Sequence, residues 1–211
     1  IVFNMLVGPV FLAGSMTSER ERQTLDLLLT TTLTPSQILW GKFIVGFRIS
    51  AVLTCFLLWP LLLGGVLNYS YWSNWASVLG MFAIVLMVCL VNATIAQLCS
   101  LYQRKTSIAL MSTYIVLLLL YVGPPAMVSL MTILDFPSES IIRAEWLGVT
   151  SPFSAAFSLP LDGKLIENED AVANVGNLKV VFGYFVFSTL LLATSTVAMI
   201  ARLRSRQGLS E

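Results

Sequence analysis

Long apolar runs constrain the fold of this chain more than any other feature of its sequence. They lie at residues 1–15, 43–67, 76–99, 108–134 and 178–201. None shows the strict apolar–polar alternation of a half-buried strand. A helix needs about 20 apolar residues to cross the hydrocarbon core of a bilayer, and the last four runs are long enough. Because a spanning segment must satisfy its own backbone hydrogen bonds, these runs predict an all-α integral membrane protein.

The composition agrees with a membrane protein and excludes several chemistries. Of 211 residues, 57% are hydrophobic and 11% are charged, whereas soluble domains carry about 25% charged residues. The chain has no histidine, the commonest metal ligand and general base. Cys55, Cys89 and Cys99 all lie inside apolar runs, which is typical of buried thiols rather than of disulfides. We expect no catalytic, cofactor-binding or metal-binding residues and no nucleic-acid partner.

Lys and Arg residues alternate between the predicted loops. They occur in loop 16–42, in loop 100–107 and after Ala201, whereas loop 68–75 has none and loop 135–177 is mainly acidic. The positive-inside rule then assigns the basic loops to the cytoplasm. The sequence therefore predicts a multi-pass protein of the cell (inner or plasma) membrane, with a cytoplasmic C-terminus and loop 135–177 outside.

The number of visible spans sets a further expectation. Five spans with a cytoplasmic C-terminus put Ile1 on the outer side, so we expect a sixth span before it. Residues 1–211 would then belong to one transmembrane domain. Pro124 and Pro125 predict a break near the outer end of the fourth visible span, because proline interrupts helical hydrogen bonding.

Loop 16–42 contains a charged segment that predicts a helix of its own. Ser18 and Glu21 have the spacing of a capping box, so the helix is expected to begin at Glu19. Its apolar face is formed by four leucines at helical spacing: Leu25, Leu28, Leu29 and Leu33. A helix that merely lies on lipid favours Lys and Arg on its polar face. This segment has three acids against two Arg, which suits a protein partner better.

A second helix start follows directly. Thr34 is predicted as its N-cap and Pro35 as its first residue, with Gln37 completing another capping box. This helix should run without interruption into the span that begins near Phe43. The charged helix is then joined to a span by a very short connection, so a displacement of this helix would be transmitted to that span.

The same stretch resembles the cytoplasmic loop of permeases of the ABC type 2 exporter family. The matching residues are Glu19 to Leu28, Thr32 to Pro35, and Gly41-Lys42. The family form is an acidic residue, Thr-Leu-Glu-x-Leu-Leu, a Thr-Pro-like turn and Gly-Lys. Asp26 stands where Glu is commoner, and Gln23 where Gly often precedes the Thr. Ser151-Pro152-Phe153 is similar to a tripeptide often found before the last span of these permeases.

The resemblance implies a subunit that is moved by a separate motor. In that family two permease halves pair, as a homodimer or heterodimer, and each docks a cytoplasmic ATP-binding-cassette ATPase through the loop helix. Carried over, the docking residues are Glu19, Arg20, Glu21, Arg22, Thr24, Leu25, Leu28, Leu29 and Leu33. Docking would bury part of the leucine face and pair the charges with the partner. The chain lacks a GxxxxGK[ST] phosphate loop, so we expect a non-enzymatic permease subunit in the lipid bilayer.

Polar residues within the spans leave two interpretations open. Arg48, Asn92 and Gln97 are candidates for a translocation path. Alternatively, Arg48 extends to the headgroups, and the two amides bond to neighbouring helices. A secondary transporter driven by an ion gradient would need acidic or His groups in the spans, and none is present. A non-transporting scaffold would leave the charged helix unexplained.

Overall fold

In the computed structural model, every regular element among the described residues is an α-helix, as the sequence predicts. The structure describes residues 1–14, 16–21, 35–67, 75–137, 146–159 and 170–206. Within these ranges the helices are α1 (Val2–Ala13), α2 (Thr17–Glu21), α3 (Pro35–Leu67), α4 (Trp75–Tyr102), α5 (Thr106–Tyr121), α6 (Gly123–Ile133), α7 (Pro152–Phe157) and α8 (Asp170–Arg206).

Three of the described helices are long and apolar enough to cross a membrane. The qualifying segments are Ser36–Phe56 of α3, Val78–Tyr102 of α4 and Lys179–Ser205 of α8. The bent pair α5 and α6 adds a fourth if it counts as one span. Helix α1 has 12 residues, fewer than the ~20 that a span needs. The fold is thus that of a multi-pass helical membrane protein, and the five-span count stays a prediction.

The break predicted at the proline pair is present. Helix α5 ends at Tyr121, α6 begins at Gly123, and the two axes differ by 47°. Pro124 and Pro125 lie in the first turn of α6, where a missing backbone N–H breaks no helical bond. The prolines therefore start a new helix instead of continuing the old one.

The helix boundaries near the charged loop also follow local sequence signals. Helix α3 begins at Pro35 and continues to Leu67, so the predicted run of this helix into the span is confirmed.

Helix α8 begins at Asp170, earlier than the apolar run at 178. Its first turns mix Asp and Asn with Ala and Val and contain no helix breaker apart from Gly176, and an acidic first residue favours a helix N-terminus. The predicted loop 135–177 therefore includes α7 and the start of α8.

Contacts group the chain into two compact units. The first unit comprises Ile1, Cys55–Val88 and Leu118–Thr189, and the second comprises Val2–Thr54, Cys89–Leu117 and Leu190–Glu211. In the first unit, Ser151 is the N-cap of α7: its Oγ accepts from Phe153 N at 3.3 Å and donates to Tyr121 O at 2.6 Å. The Ser-Pro-Phe tripeptide thus fixes α7 to the end of α5.

The second unit contains two apolar clusters. One joins α1, α4 and α5 through Leu12, Ala13, Ala93, Ala96 and Ala109, with Phe43 and Phe47 of α3 packed against it. The other consists of Met16, Ile38, Leu39, Leu101, Met199 and Leu203. Small side chains dominate the first cluster, and small residues allow helix backbones to approach closely in membranes. The backbone of α3 at Gly46 lies so close to α1 that an added Cβ would be 2.5 Å from Leu12 Cγ.

We predict that Gly46→Ala destabilises the protein, because Leu12 is fully buried and cannot move aside. Overpacking of this kind costs about 1–3 kcal/mol. In detergent-solubilised protein the Tm should fall by at least ~2 °C. Gly41→Ala is the matched control on the same helix, since nothing lies within 4 Å of that position. Equal Tm changes in the two variants would contradict the packing argument.

Candidate functional site

Side-chain hydrogen bonds in the second unit fix the short helix α2 to its neighbours. The five residues that make these contacts are Glu19, Glu21, Lys42, Ser100 and Thr106, and we call them the α2 junction. They come from α2, α3, α4 and α5. Helix α2 itself follows α1 after three residues, so four helices besides α2 meet at this point.

Ser100, in the last turn of α4, satisfies the start of α2. Met16 N and Thr17 N donate to Ser100 Oγ at 2.9 and 3.1 Å, and Ser100 is fully buried. The first N–H groups of a helix have no partner within the helix, so a distant hydroxyl supplies one. Helix α2 consequently begins at Thr17, and the predicted start at Glu19, with Ser18 as N-cap, is wrong.

Glu19 links α2 to the first turns of α3. Lys42 Nζ donates to Glu19 Oε1 at 2.9 Å, with the side chains 21% and 33% exposed. A partly exposed ion pair contributes at most about 1 kcal/mol to stability. Its consequence is positional, because it holds α2 against the helix that begins at Pro35.

Glu21 links α2 to the start of α5. Thr106 N donates to Glu21 Oε1 at 2.8 Å, and Thr106 Oγ1 donates to the same oxygen at 3.1 Å. Thr106 is the first residue of α5, so the carboxylate caps this helix from a position 85 residues away in the chain. A negative charge at a helix N-terminus also interacts favourably with the helix dipole.

The structure describes three of the predicted docking residues, and their role in docking stays a prediction. Glu19 and Glu21 were expected to pair with a partner protein, but both bind residues of their own chain. Arg20 lies between them in α2. The other predicted docking residues lie outside the described residues: Arg22, Thr24, Leu25, Leu28, Leu29 and Leu33. The leucine face of the loop helix stays a prediction.

The three candidates for a translocation path do not come together. Asn92 is fully buried, and its Nδ2 donates to Asn4 Oδ1 at 3.2 Å. Gln97 is 1% exposed, and its Nε2 donates to Leu39 O at 3.0 Å. Arg48 is exposed on α3. The structure thus favours the interpretation of both amides as contacts between helices.

Asn92 belongs to a buried polar network among α1, α3 and α4. Asn4 Nδ2 donates to Thr54 Oγ1 at 3.0 Å, and Thr54 Oγ1 donates to Ser50 O at 2.7 Å. The nearby Gly8 leaves room for these groups, since a Cβ there would lie 3.0 Å from Asn4 Oδ1 and 3.4 Å from Ser50 Oγ. Hydrogen bonds of this kind hold helices together in hydrocarbon, where no water competes.

Sequence reasoning missed Ser100, Thr106 and Asn4. Asn4 is a polar residue within the first apolar run, and that signal was available. Ser100 and Thr106 border a loop where polar residues are ordinary. Nothing local to them indicates that they bind a segment more than 80 residues earlier.

Similarity to known proteins adds no assignment to this site. Comparison of the chain with protein-family models, curated proteins and solved structures finds no match. Among the described residues there is also no group of three or more His, Cys, Asp or Glu side chains that could hold a metal ion. The class that the fold defines is a multi-pass helical membrane protein.

We predict that Ser100→Ala loosens the start of α2. Two buried N–H groups lose their acceptor, which costs about 1–3 kcal/mol. Amide hydrogen exchange at Met16 and Thr17 should therefore become at least ~5-fold faster. Ser112→Ala is the control, because the hydroxyl of Ser112 bonds only to Ala109 O within its own helix. Unchanged exchange at these two amides would show that Ser100 does not hold α2.

We also predict that Asn4 and Asn92 stabilise the protein jointly. The measurement is a double-mutant cycle with Asn4→Leu, Asn92→Leu and the combined variant, using the free energy of unfolding in detergent. The coupling energy should be about 0.6–2 kcal/mol, as for other hydrogen bonds between membrane helices. Additivity within about 0.3 kcal/mol would mean that this hydrogen bond contributes nothing.

Proposed function

We propose that this chain is the membrane-spanning subunit of an ATP-driven exporter of the ABC type 2 kind, and that α2 with the segment after it docks a separate ATPase subunit. The observation that carries the proposal is the α2 junction. A short helix fixed to three spanning or near-spanning helices is suited to pass a displacement from outside the bilayer into the spans.

The links of the junction support a mechanical role. Ser100, Lys42 and Thr106 lie at the α2-facing ends of α4, α3 and α5. Met16, just before α2, packs with Ile38 and Leu101 in an apolar cluster. A force on α2 therefore acts on several helix ends at once. Packed interfaces of this kind move between discrete arrangements instead of deforming smoothly.

These contacts assign different roles to the residues of the docking segment. Glu19 and Glu21 position the helix, since their carboxylates are used inside the chain. The partner then binds mainly the leucine face formed by Leu25, Leu28, Leu29 and Leu33, together with the charges of Arg20 and Arg22 and the side chain of Thr24. The sequence predicts an amphipathic helix for this segment, and binding of such a helix in a groove of the partner is a common mode of recognition.

The proposed topology has six spans in the whole protein, which lies in the plasma or inner membrane. Helix α2 and the C-terminus face the cytoplasm. The alternation of Lys and Arg between loops supports it. A second permease subunit, identical or different, completes the translocation path between the two subunits. The described spans contain no Asp, Glu or His, so within them no proton or ion carrier replaces ATP as the energy source.

We predict that Leu28→Asp weakens ATPase binding by about 2 kcal/mol, or roughly 30-fold, because a charge would be buried unpaired in the contact. Leu27→Asp is the matched control, since residue 27 falls on the opposite side of a helix from the leucine face. The tagged chain is purified from its native membranes, and an ATP photoaffinity probe reports the co-purifying ATP-binding subunit.

The wild-type chain and Leu27→Asp should retain the photolabelled subunit, and Leu28→Asp should lose it while inserting normally into the membrane. Retention by all three chains would exclude this segment as the docking site. Photolabelling of the chain itself, or ATP hydrolysis by the chain without a second subunit, would contradict the proposed function.

A further inference from the structure

An apolar cleft opens between three helices of the second unit. Its volume is about 190 Å³, and its surface is almost entirely apolar. The walls are formed mainly by Leu39, Trp40 and Phe43 of α3, Leu90 of α4, and Leu192 and Ile200 of α8. Three of the polar lining side chains donate to backbone carbonyls: Gln97 Nε2 to Leu39 O, Thr94 Oγ1 to Leu90 O, and Thr196 Oγ1 to Ala193 O. The cleft therefore offers hydrocarbon contacts and few hydrogen bonds.

The cleft reaches the start of the α3 span and comes within five residues of the end of the α8 span. On α8 its lining runs from Leu192 to Ile200, about 12 Å at 1.5 Å per residue. On α3 it starts at Ser36, the first residue of the candidate span. Leu39 and Met199 share one apolar cluster, so the start of α3 and the end of α8 lie side by side. An apolar cleft that follows α8 over this length and reaches the first residue of the α3 span can hold part of a hydrocarbon chain.

The charge at this end of the unit is positive. Arg204 lies one turn beyond Ile200 on α8 and is exposed. Helical side chains lean toward the helix N-terminus. On α8 the cleft lies in that direction from Arg204. The described residues of the second unit include two acids, Glu19 and Glu21, and these bind Lys42 and Thr106.

We propose that the cleft binds an acyl chain of an anionic phospholipid and that Arg204 binds its phosphate. Trp40, 60% exposed beside the cleft, has the amphipathic ring that favours the headgroup level of a bilayer. Arg202 contributes to the positive field, with its guanidinium carbon 5.2 Å from the centre of the Tyr102 ring. The cleft shares no residue with the proposed ATPase contact.

Quenching of Trp40 by brominated lipids tests the proposal. The full chain is reconstituted in phosphatidylcholine bilayers that contain phosphatidylglycerol, and one of the two lipids at a time carries brominated acyl chains. The difference between the wild type and Trp40→Phe isolates the signal of Trp40. One basic residue near the surface contributes about 1 kcal/mol to binding of anionic lipid. Trp40 should therefore report an approximately fivefold preference for phosphatidylglycerol.

Two pairs of variants separate headgroup binding from chain binding. Arg204→Gln should reduce the preference to about one, whereas Arg48→Gln, which removes an exposed charge outside the cleft lining, should retain it. Thr196→Phe fills the cleft and should reduce quenching by both lipids, whereas Thr194→Phe, on the exposed side of α8, should not.

Three results would overturn the proposal. Equal quenching of wild-type Trp40 by the two lipids would remove the anionic preference. An unchanged preference in Arg204→Gln would remove the assigned phosphate ligand. Absence of quenching by either lipid would show that a protein segment or a second copy covers the cleft.

Discussion

Polar groups buried between helices in a membrane are stabilised when they bond to one another, because hydrocarbon provides no partner for them. Four polar residues of the second unit are buried: Asn4, Asn92, Gln97 and Ser100. Each of them bonds to a residue outside its own helix. These bonds determine which helix ends and helix centres meet. Apolar packing alone discriminates weakly between such arrangements in a membrane, since lipid tails are as apolar as leucine.

The same constraint explains the arrangement of the α2 junction. The ends of helices carry N–H groups without partners in their own helix, and here side chains of neighbouring helices provide acceptors. Ser100 does so for α2, and Glu21 does so for α5. Because each of these bonds connects two helices, the start of α2 cannot move far without moving the others. This is the physical basis on which the proposed coupling to a motor rests.

Helix α3 connects the junction with the apolar cleft. Its first turns carry Lys42, which binds Glu19, and Trp40 and Phe43, which line the cleft. Leu39 takes part in both the apolar cluster and the cleft, and its carbonyl accepts from Gln97. A lipid bound as proposed would contact the same turns of α3 on which a displacement of α2 acts. Lipid occupancy and the position of α3 would then be linked.

The sequence by itself determined the features that depend on local physics. The apolar runs established an all-α membrane protein, Pro35 marked the start of α3, and Pro124 with Pro125 marked the break between α5 and α6. Hydropathy and the missing N–H of proline act on the residues that carry them, so no knowledge of packing is needed. The early start of α8 at Asp170 was not predicted, because residues 170–177 precede the apolar run that begins at 178.

Only the tertiary structure decided which side chains meet. The Ser18 and Glu21 pair satisfied the local rule for a capping box, yet Ser100 moved the helix start to Thr17 and Glu21 caps α5 instead. Asn92 and Gln97 had two open interpretations, and their distant partners Asn4 and Leu39 selected one. A hydrogen-bond partner more than 50 residues away is chosen by how the helices pack, and local sequence does not encode that choice.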